Sequence, residues 1–186
     1  MDKNIRFKLK DIEKFHIPRW EELPDIDLYV DQIITLFDNY LSKYIENESQ
    51  DNDTSIITKT MINNYVKHGL IKAPIKKKYG KEQIATLFVI GILKQVYSIS
   101  DIQNLIRFAI KTASLNLAYN RFCDFLEESI SSIFFGNKTN DSDDKLSHAE
   151  YIQKCVVQTF ANKLYVQKIL LNKELIKTQL ILILYY

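Results

Sequence analysis

Four glycines and three prolines in 186 residues give this chain few places to turn sharply, although 46% of its residues are apolar. Apolar stretches rich in Ile and Leu, with so few breakers between them, favour long helices over strands joined by tight turns. The expected fold is therefore all-α, mainly helical, in one domain or two small ones. The longest uninterrupted apolar run, 180–186, falls far short of the roughly 18 residues that span a bilayer, so no membrane helix is expected. That tail is strand-prone and is expected to lie buried in the fold or against a partner chain.

The amino-terminal MDKNIRFKLKDIEKF alternates charged with apolar residues and has no continuous apolar core. It does not read as a secretory signal, and the expected location is the cytoplasm. Cys123 and Cys155 match neither a zinc pattern nor a redox pair, which suggests buried thiols in a reducing compartment.

Charge is divided along the chain although the formal net charge is only +2. Residues 21–53 hold ten acids and one base, Lys43, whereas residues 54–81 hold seven lysines and no acid. A basic block of this kind repels itself unless an anion uses it, and nucleic acid is the commonest such partner. The acidic block ahead of it would orient the protein on a polyanion by repelling one face.

The spacing of Ile26, Tyr29, Val30, Ile33, Ile34, Phe37, Tyr40, Leu41 and Tyr44 predicts an amphipathic helix from Asp25 to about Ile45, after the lead-in Pro18-Arg-Trp-Glu-Glu-Leu-Pro24 that Trp20 anchors to the core. An acidic loop follows over 46–53. Thr58 stands where an N-cap is needed for a helix over 59–68, with Ile57 and Ile62 as a hydrophobic staple. Gly69 stands at the left-handed position that ends it, and Leu70 can fold back on Tyr65. Residues 70–79 fit a small β-hairpin and an irregular basic loop equally well. The segment 81–96 is apolar on most sides, as a central helix should be. Ser98 and Asp101 predict the cap of a further helix, and the helical pattern continues to about Phe135 with a break near 112–116. A polar linker over 136–147 precedes a last amphipathic helix through Ile152, Val156, Phe160 and Leu164.

On the 59–68 helix, Thr60, Asn63, Asn64 and Lys67 recur at i, i+3, i+4 and i+7 and form one polar stripe. Asparagine is a poor helix former, so two in mid-helix call for a reason beyond helix stability. An Asn amide can pair with the N6 and N7 edge of adenine in the major groove, while Lys and Thr contact phosphate or base edges. An ordinary solvated helix face is the alternative.

Thr58-Lys-Thr-Met-Ile-Asn-Asn-Tyr65-Val-Lys-His-Gly69-Leu-Ile, followed by Tyr79, Glu82, Ile84, Leu87, Ile90, Leu93-Lys94 and Ser98-Ile-Ser-Asp101-Ile, resembles the winged helix-turn-helix domain of MerR-type transcription regulators. The stretch 18–106 also resembles a bacterial family of domains of unknown function, through Pro18-Arg-Trp, Leu28-Tyr-Val-Asp-Gln, Thr58-Lys-Thr-Met-Ile-Asn-Asn-Tyr and Lys77-Lys-Tyr-Gly-Lys-Glu-Gln. The MerR-type resemblance implies a recognition helix capped by Thr58, with Lys59, Thr60, Asn63, Asn64 and Lys67 facing double-stranded DNA. It places Lys76, Lys77, Lys78 and Tyr79 in a small β wing that grips backbone phosphate. It further implies a homodimer, and a small-molecule effector is compatible with it.

The implied organisation is a lead-in at 1–24, a winged-helix domain at 25–110 and a helical region at 111–186 that serves either as a dimer interface or as an intramolecular bundle. The expected function is sequence-specific DNA binding by a transcription regulator; a protein-interaction adaptor that docks an acidic partner on the same basic loop is the alternative. No catalytic residue, metal site or cofactor is assigned. His16, His68 and His148 lie in unrelated contexts, and no glycine-rich phosphate loop occurs.

Overall fold

The computed structural model describes residues 10–45, 55–137 and 145–171. Within them the chain is mainly helical, with one two-stranded sheet. The α-helices are α1 (Val30–Leu41), α2 (Lys59–Lys67), α3 (Lys81–Leu93), α4 (Ile99–Thr112), α5 (Leu115–Phe135) and α6 (His148–Leu171). Strand β1 (Leu28–Tyr29) pairs antiparallel with β2 (Lys78–Tyr79), Leu28 opposite Tyr79 and Tyr29 opposite Lys78. The acidic loop 46–53 and the apolar tail 180–186 lie outside the described residues.

Helix α3 is buried through Ile84, Ala85, Leu87, Phe88, Ile90, Ile92 and Leu93, while the edge of Glu82, Thr86 and Val89 stays partly open. It is the central helix that its all-round apolarity predicts. Phe37 of α1 stacks on Phe88 with ring centroids 4.1 Å apart. A Cβ at Gly91 would stand 3.3 Å from the Phe37 ring, so glycine lets α1 settle closely on α3. Helix α5 packs chiefly against α6, and both also touch α3. The apolar core is continuous from Ile12 to Leu164 and runs without interruption across residue 110.

Three boundaries differ from the sequence reading, one of them the end of α1, at Leu41 rather than near Ile45. Helix α1 begins at Val30 rather than Asp25, because Leu28 and Tyr29 are committed to the sheet and Ile26 is 70% exposed. Two residues of strand alternation are too few to stand out against three-to-four spacing on either side. The central helix stops at Leu93, and Lys94 is its C-cap. The break near 112–116 is two extended residues, Ala113 and Ser114, between α4 and α5.

The lead-in is fastened to α5. Arg19 makes a two-pronged ion pair with Glu127, at 2.7 and 2.6 Å, and its Nε donates to Asp124 at 3.1 Å. The hydrogen bond to Glu127 leads in raising the pKa of the Arg19 guanidinium above its ordinary value. The same carboxylate accepts the Ile17 N–H, and the Tyr119 hydroxyl donates to the Pro18 carbonyl at 2.8 Å. The Trp20 N–H donates to Asn120, and the half-buried indole meets Tyr119 edge-on.

Cys123 is fully buried in α5, which pushes its thiol up to about 12, whereas Cys155 is half-buried. The thiolate is the reactive form, so a thiol reagent at pH 8 should modify Cys155 first and reach Cys123 only on unfolding. Mass spectrometry of the native protein checks this, and equal rates at the two positions would contradict it.

Candidate nucleic-acid interface

Helix α2 forms because both of its ends are satisfied locally. The Thr58 hydroxyl accepts the Met61 N–H at 3.2 Å. At the other end Gly69 adopts φ +68°, its N–H donates to the Val66 carbonyl, and the Leu70 N–H reaches back to Tyr65. This is the six-to-one and five-to-two closure of a Schellman cap. No atom lies within 4 Å of a Cβ placed at Gly69, so Gly69→Ala should cost about 1 kcal/mol of stability through backbone strain alone. Urea denaturation reads that loss, and a neutral result would mean that the left-handed residue relaxes.

Burial divides the helix in two. Ile57 and Ile62 are fully buried, Tyr65 is 5% exposed, and burial raises the Tyr65 pKa. Lys59, Thr60, Asn63, Asn64 and Lys67 are all exposed, and no described residue hydrogen-bonds or pairs with their side chains. The structure thus brings these five onto one open face, with Thr58 half-buried behind them as the cap.

The setting of α2 comes from residues to which the sequence reading assigned no role at this helix. The Asp38 carboxylate, on α1, accepts the Ile56 N–H and the Ser55 hydroxyl, both at 3.2 Å. The Lys94 ammonium donates to the Ile56 carbonyl at 2.6 Å, and burial lowers its pKa. Gln103 of α4 donates to the His68 carbonyl at 3.2 Å, at the far end of the helix. Side chains from α1, from the C-cap of α3 and from α4 therefore hold α2 at its two ends, which makes its exposed face a fixed platform.

Beyond α2 the chain forms the small hairpin. Ile75 and Lys78 exchange both backbone hydrogen bonds, at 3.0 and 2.9 Å, around the two-residue turn Lys76-Lys77. Lys76 has φ +49° and Lys77 has φ +66°, so both central residues are left-handed, as a type I′ turn requires. Asn-Gly is the usual occupant of such a turn, because a Cβ strains this backbone. Both lysines are exposed, and no described side chain pairs with either.

Lys78 is half-buried, with its ammonium 4.9 Å above the Tyr29 ring, so it braces the sheet. Tyr79 is only 3% exposed, and burial raises its pKa. Strand alternation turns Tyr79 inward, which makes it a core residue and removes its side chain from the contact surface the sequence assigned to it. Gln83 ties the hairpin to α3: its carbonyl accepts the Gly80 N–H at 2.6 Å, and its amide donates to the carbonyls of Lys72 and Ala73 at 3.2 and 3.3 Å. Lys72 pairs with Glu82, and Lys81 with Asp25. The seven-lysine block is thereby sorted into paired bracing cations and an open set, Lys59, Lys67, Lys76 and Lys77.

No group of three or more metal-ligating side chains converges among the described residues, and no helix among them is long and apolar enough to cross a membrane.

No curated protein and no solved structure matches this chain. The sequence profile of the DUF1836 family, a domain of unknown function, matches residues 18–122, which run from the Pro18 lead-in through the hairpin and α4 into the helix that clamps that lead-in. The chain belongs to the DUF1836 family.

Proposed function

We propose that this chain is a sequence-specific double-stranded DNA-binding protein, a homodimeric transcription regulator with a winged-helix arrangement similar to that of MerR-type proteins. Helix α2 reads bases through Asn63, Asn64 and Thr60, Lys59 and Lys67 flank it on phosphate, and Lys76 and Lys77 hold the backbone from the hairpin. The observation that carries this reading is the hairpin turn, where two lysines occupy left-handed positions that other residues fill at lower cost. Strain of that kind persists when the side chains it displays have a use, and two unpaired ammonium groups at a tip suit a polyanion. A dimer would present two copies of α2 to two half-sites one helical turn apart.

Retention of random double-stranded DNA at about 50 mM salt, falling steeply as salt rises, is the first expected result. Selection of bound duplexes from a random pool should then yield a preferred sequence. Asn63→Ala and Asn64→Ala should each lose about 1–3 kcal/mol of discrimination at one base while leaving binding to random duplex nearly unchanged. Equal losses on selected and random duplexes would sink base reading by α2.

A second reading has one observation in its favour. Ile75, beside the lysine turn, is 76% exposed, and phosphate contact has no need of an exposed isoleucine. An adaptor that docks an acidic protein segment on the hairpin would use it. A pull-down from nuclease-treated lysate separates the two: partners that survive nuclease favour the adaptor, and loss of all co-purifying material favours DNA.

A further inference from the structure

The polar stripe of α2 recurs on α4. Thr58 caps the first helix and Ser98 the second, each hydroxyl accepting the N–H three residues on at 3.2 Å. Thr60, Asn63, Asn64 and Lys67 on α2 then correspond to Ser100, Gln103, Asn104 and Arg107 on α4. Both sets run hydroxyl, amide, amide, cation at i, i+3, i+4 and i+7, and α4 adds Lys111 one turn further. Ile102, Leu105 and Ile106 turn the other side of α4 to the core, which leaves Ser100, Asn104, Arg107 and Lys111 exposed.

A side-chain contact joins the two stripes. Gln103 donates to the His68 carbonyl, so the stripe of α4 starts at the end of α2 that carries Lys67. Residues 102–123 hold three bases and no acid. Arg121 is paired with Glu150 at 3.1 Å, whereas no described residue pairs with Arg107 or Lys111. Asp101, the one acid of α4, accepts the Ser98 hydroxyl at 2.6 Å in the first turn. Its charge disfavours a phosphate at that end of the helix, and leaves Arg107 and Lys111, one and two turns past Gln103, as the part that suits an anion.

We propose that α4 is a second contact helix for the duplex, on which Arg107 and Lys111 hold two phosphates of the strand that passes the C-terminal end of α2. The inference rests on the DNA-binding reading of α2 and the hairpin. One helical turn, about 6 Å, separates the two cations. That is roughly two nucleotide steps of one strand, at about 3.4 Å each. Lys111 lies about 12 Å along the axis from Gln103. The contact therefore reaches about three to four steps beyond the bases that α2 reads. The Arg107 guanidinium can grip its phosphate with two parallel N–H donors, and the Lys111 ammonium acts as a point charge.

Arg107→Gln together with Lys111→Gln, made in the full chain, should keep the melting temperature, because both side chains are exposed and unpaired among the described residues. The salt slope of DNA retention should fall by about 1.8, and affinity at about 0.1 M salt should drop on the order of 60-fold. The sequence selected from a random pool should stay the same, since phosphate contacts carry no base information. Should the double variant fail to fold, Lys111→Gln alone should lose about 0.9 of slope and about eightfold in affinity. Duplexes with uncharged methylphosphonate links about three to four steps outside the selected site separate contact from a general loss of positive charge. They should weaken the wild type and leave the double variant unaffected. If the wild type binds DNA and the variant keeps its slope and affinity, the α4 contact is overturned while α2 and the hairpin stand. Equal sensitivity of both proteins to the methylphosphonates, or a changed preferred sequence, would overturn it as well. A wild type that retains no DNA at about 50 mM salt would remove both readings together.

Discussion

Replacing Lys76 by Asn and Lys77 by Gly should make the protein more stable and a much poorer DNA binder at once. The turn is type I′, with both central residues left-handed, and Asn-Gly is the pair that this backbone favours. Relief of Cβ strain, set against the larger unfolded-state entropy of glycine, should leave a net gain of about 1 kcal/mol. The backbone bonds between Ile75 and Lys78 that define the hairpin do not involve either side chain and should persist. Each lost phosphate contact removes about 0.9 from the salt slope, roughly eightfold in affinity at 0.1 M salt, so two cost on the order of 60-fold. Urea denaturation and DNA retention across about 50 to 300 mM salt measure the two halves of the expectation. A variant that gains stability and binds DNA with unchanged affinity and slope would show that the lysine turn touches no phosphate.

The same turn shows where the sequence was legible and where it was not. Helix α2 could be read at both ends, because Thr58 and Gly69 satisfy needs that arise within one turn of the chain. Helix α3 could be read from its all-round apolarity. The hairpin stayed open between two alternatives because its turn carries Lys-Lys, not the Asn-Gly or Asp-Gly pair that advertises such a turn, and the tertiary setting overrode local preference. The MerR-type resemblance implies a wing contact for Tyr79, yet the pairing with Leu28, some fifty positions earlier, turns it into the core. The contacts of Asp38, Lys94 and Gln103 are illegible in the sequence for a related reason. Each meets backbone groups of a distant segment, and no local spacing signals such a bond. Gln83 was legible in part, since its bond to Gly80 is the reach-back of a residue three positions into a helix.

Arg19→Met should destabilise the protein by about 2–3 kcal/mol, the largest loss expected of a residue outside the apolar core. Arg19 and Glu127 have side chains 23% and 24% exposed, so their pair is neither a solvated surface bridge nor fully enclosed. Breaking a buried pair costs about 3–5 kcal/mol, because the surviving charge keeps its burial and loses its partner, and partial exposure lowers that figure. Met preserves the apolar stem, which confines the loss to the guanidinium. Asp124, 66% exposed, can compensate little. Glu127→Leu should cost a similar amount and also release the Ile17 N–H that the carboxylate accepts. The two substitutions together should cost about 1–2 kcal/mol less than their sum, the coupling expected of directly bonded partners. A single variant within about 0.5 kcal/mol of wild type would place the pair among ordinary surface bridges. The consequence for the interface follows from connectivity: the Trp20 ring lies 5.8 Å from the Lys81 ammonium at the start of α3, and Lys81 also pairs with Asp25 just before β1. Loosening the lead-in should therefore increase amide hydrogen exchange at Tyr29 and Lys78 before it does so at Ile62 or Tyr65, whose helix is held separately by Asp38 and Lys94.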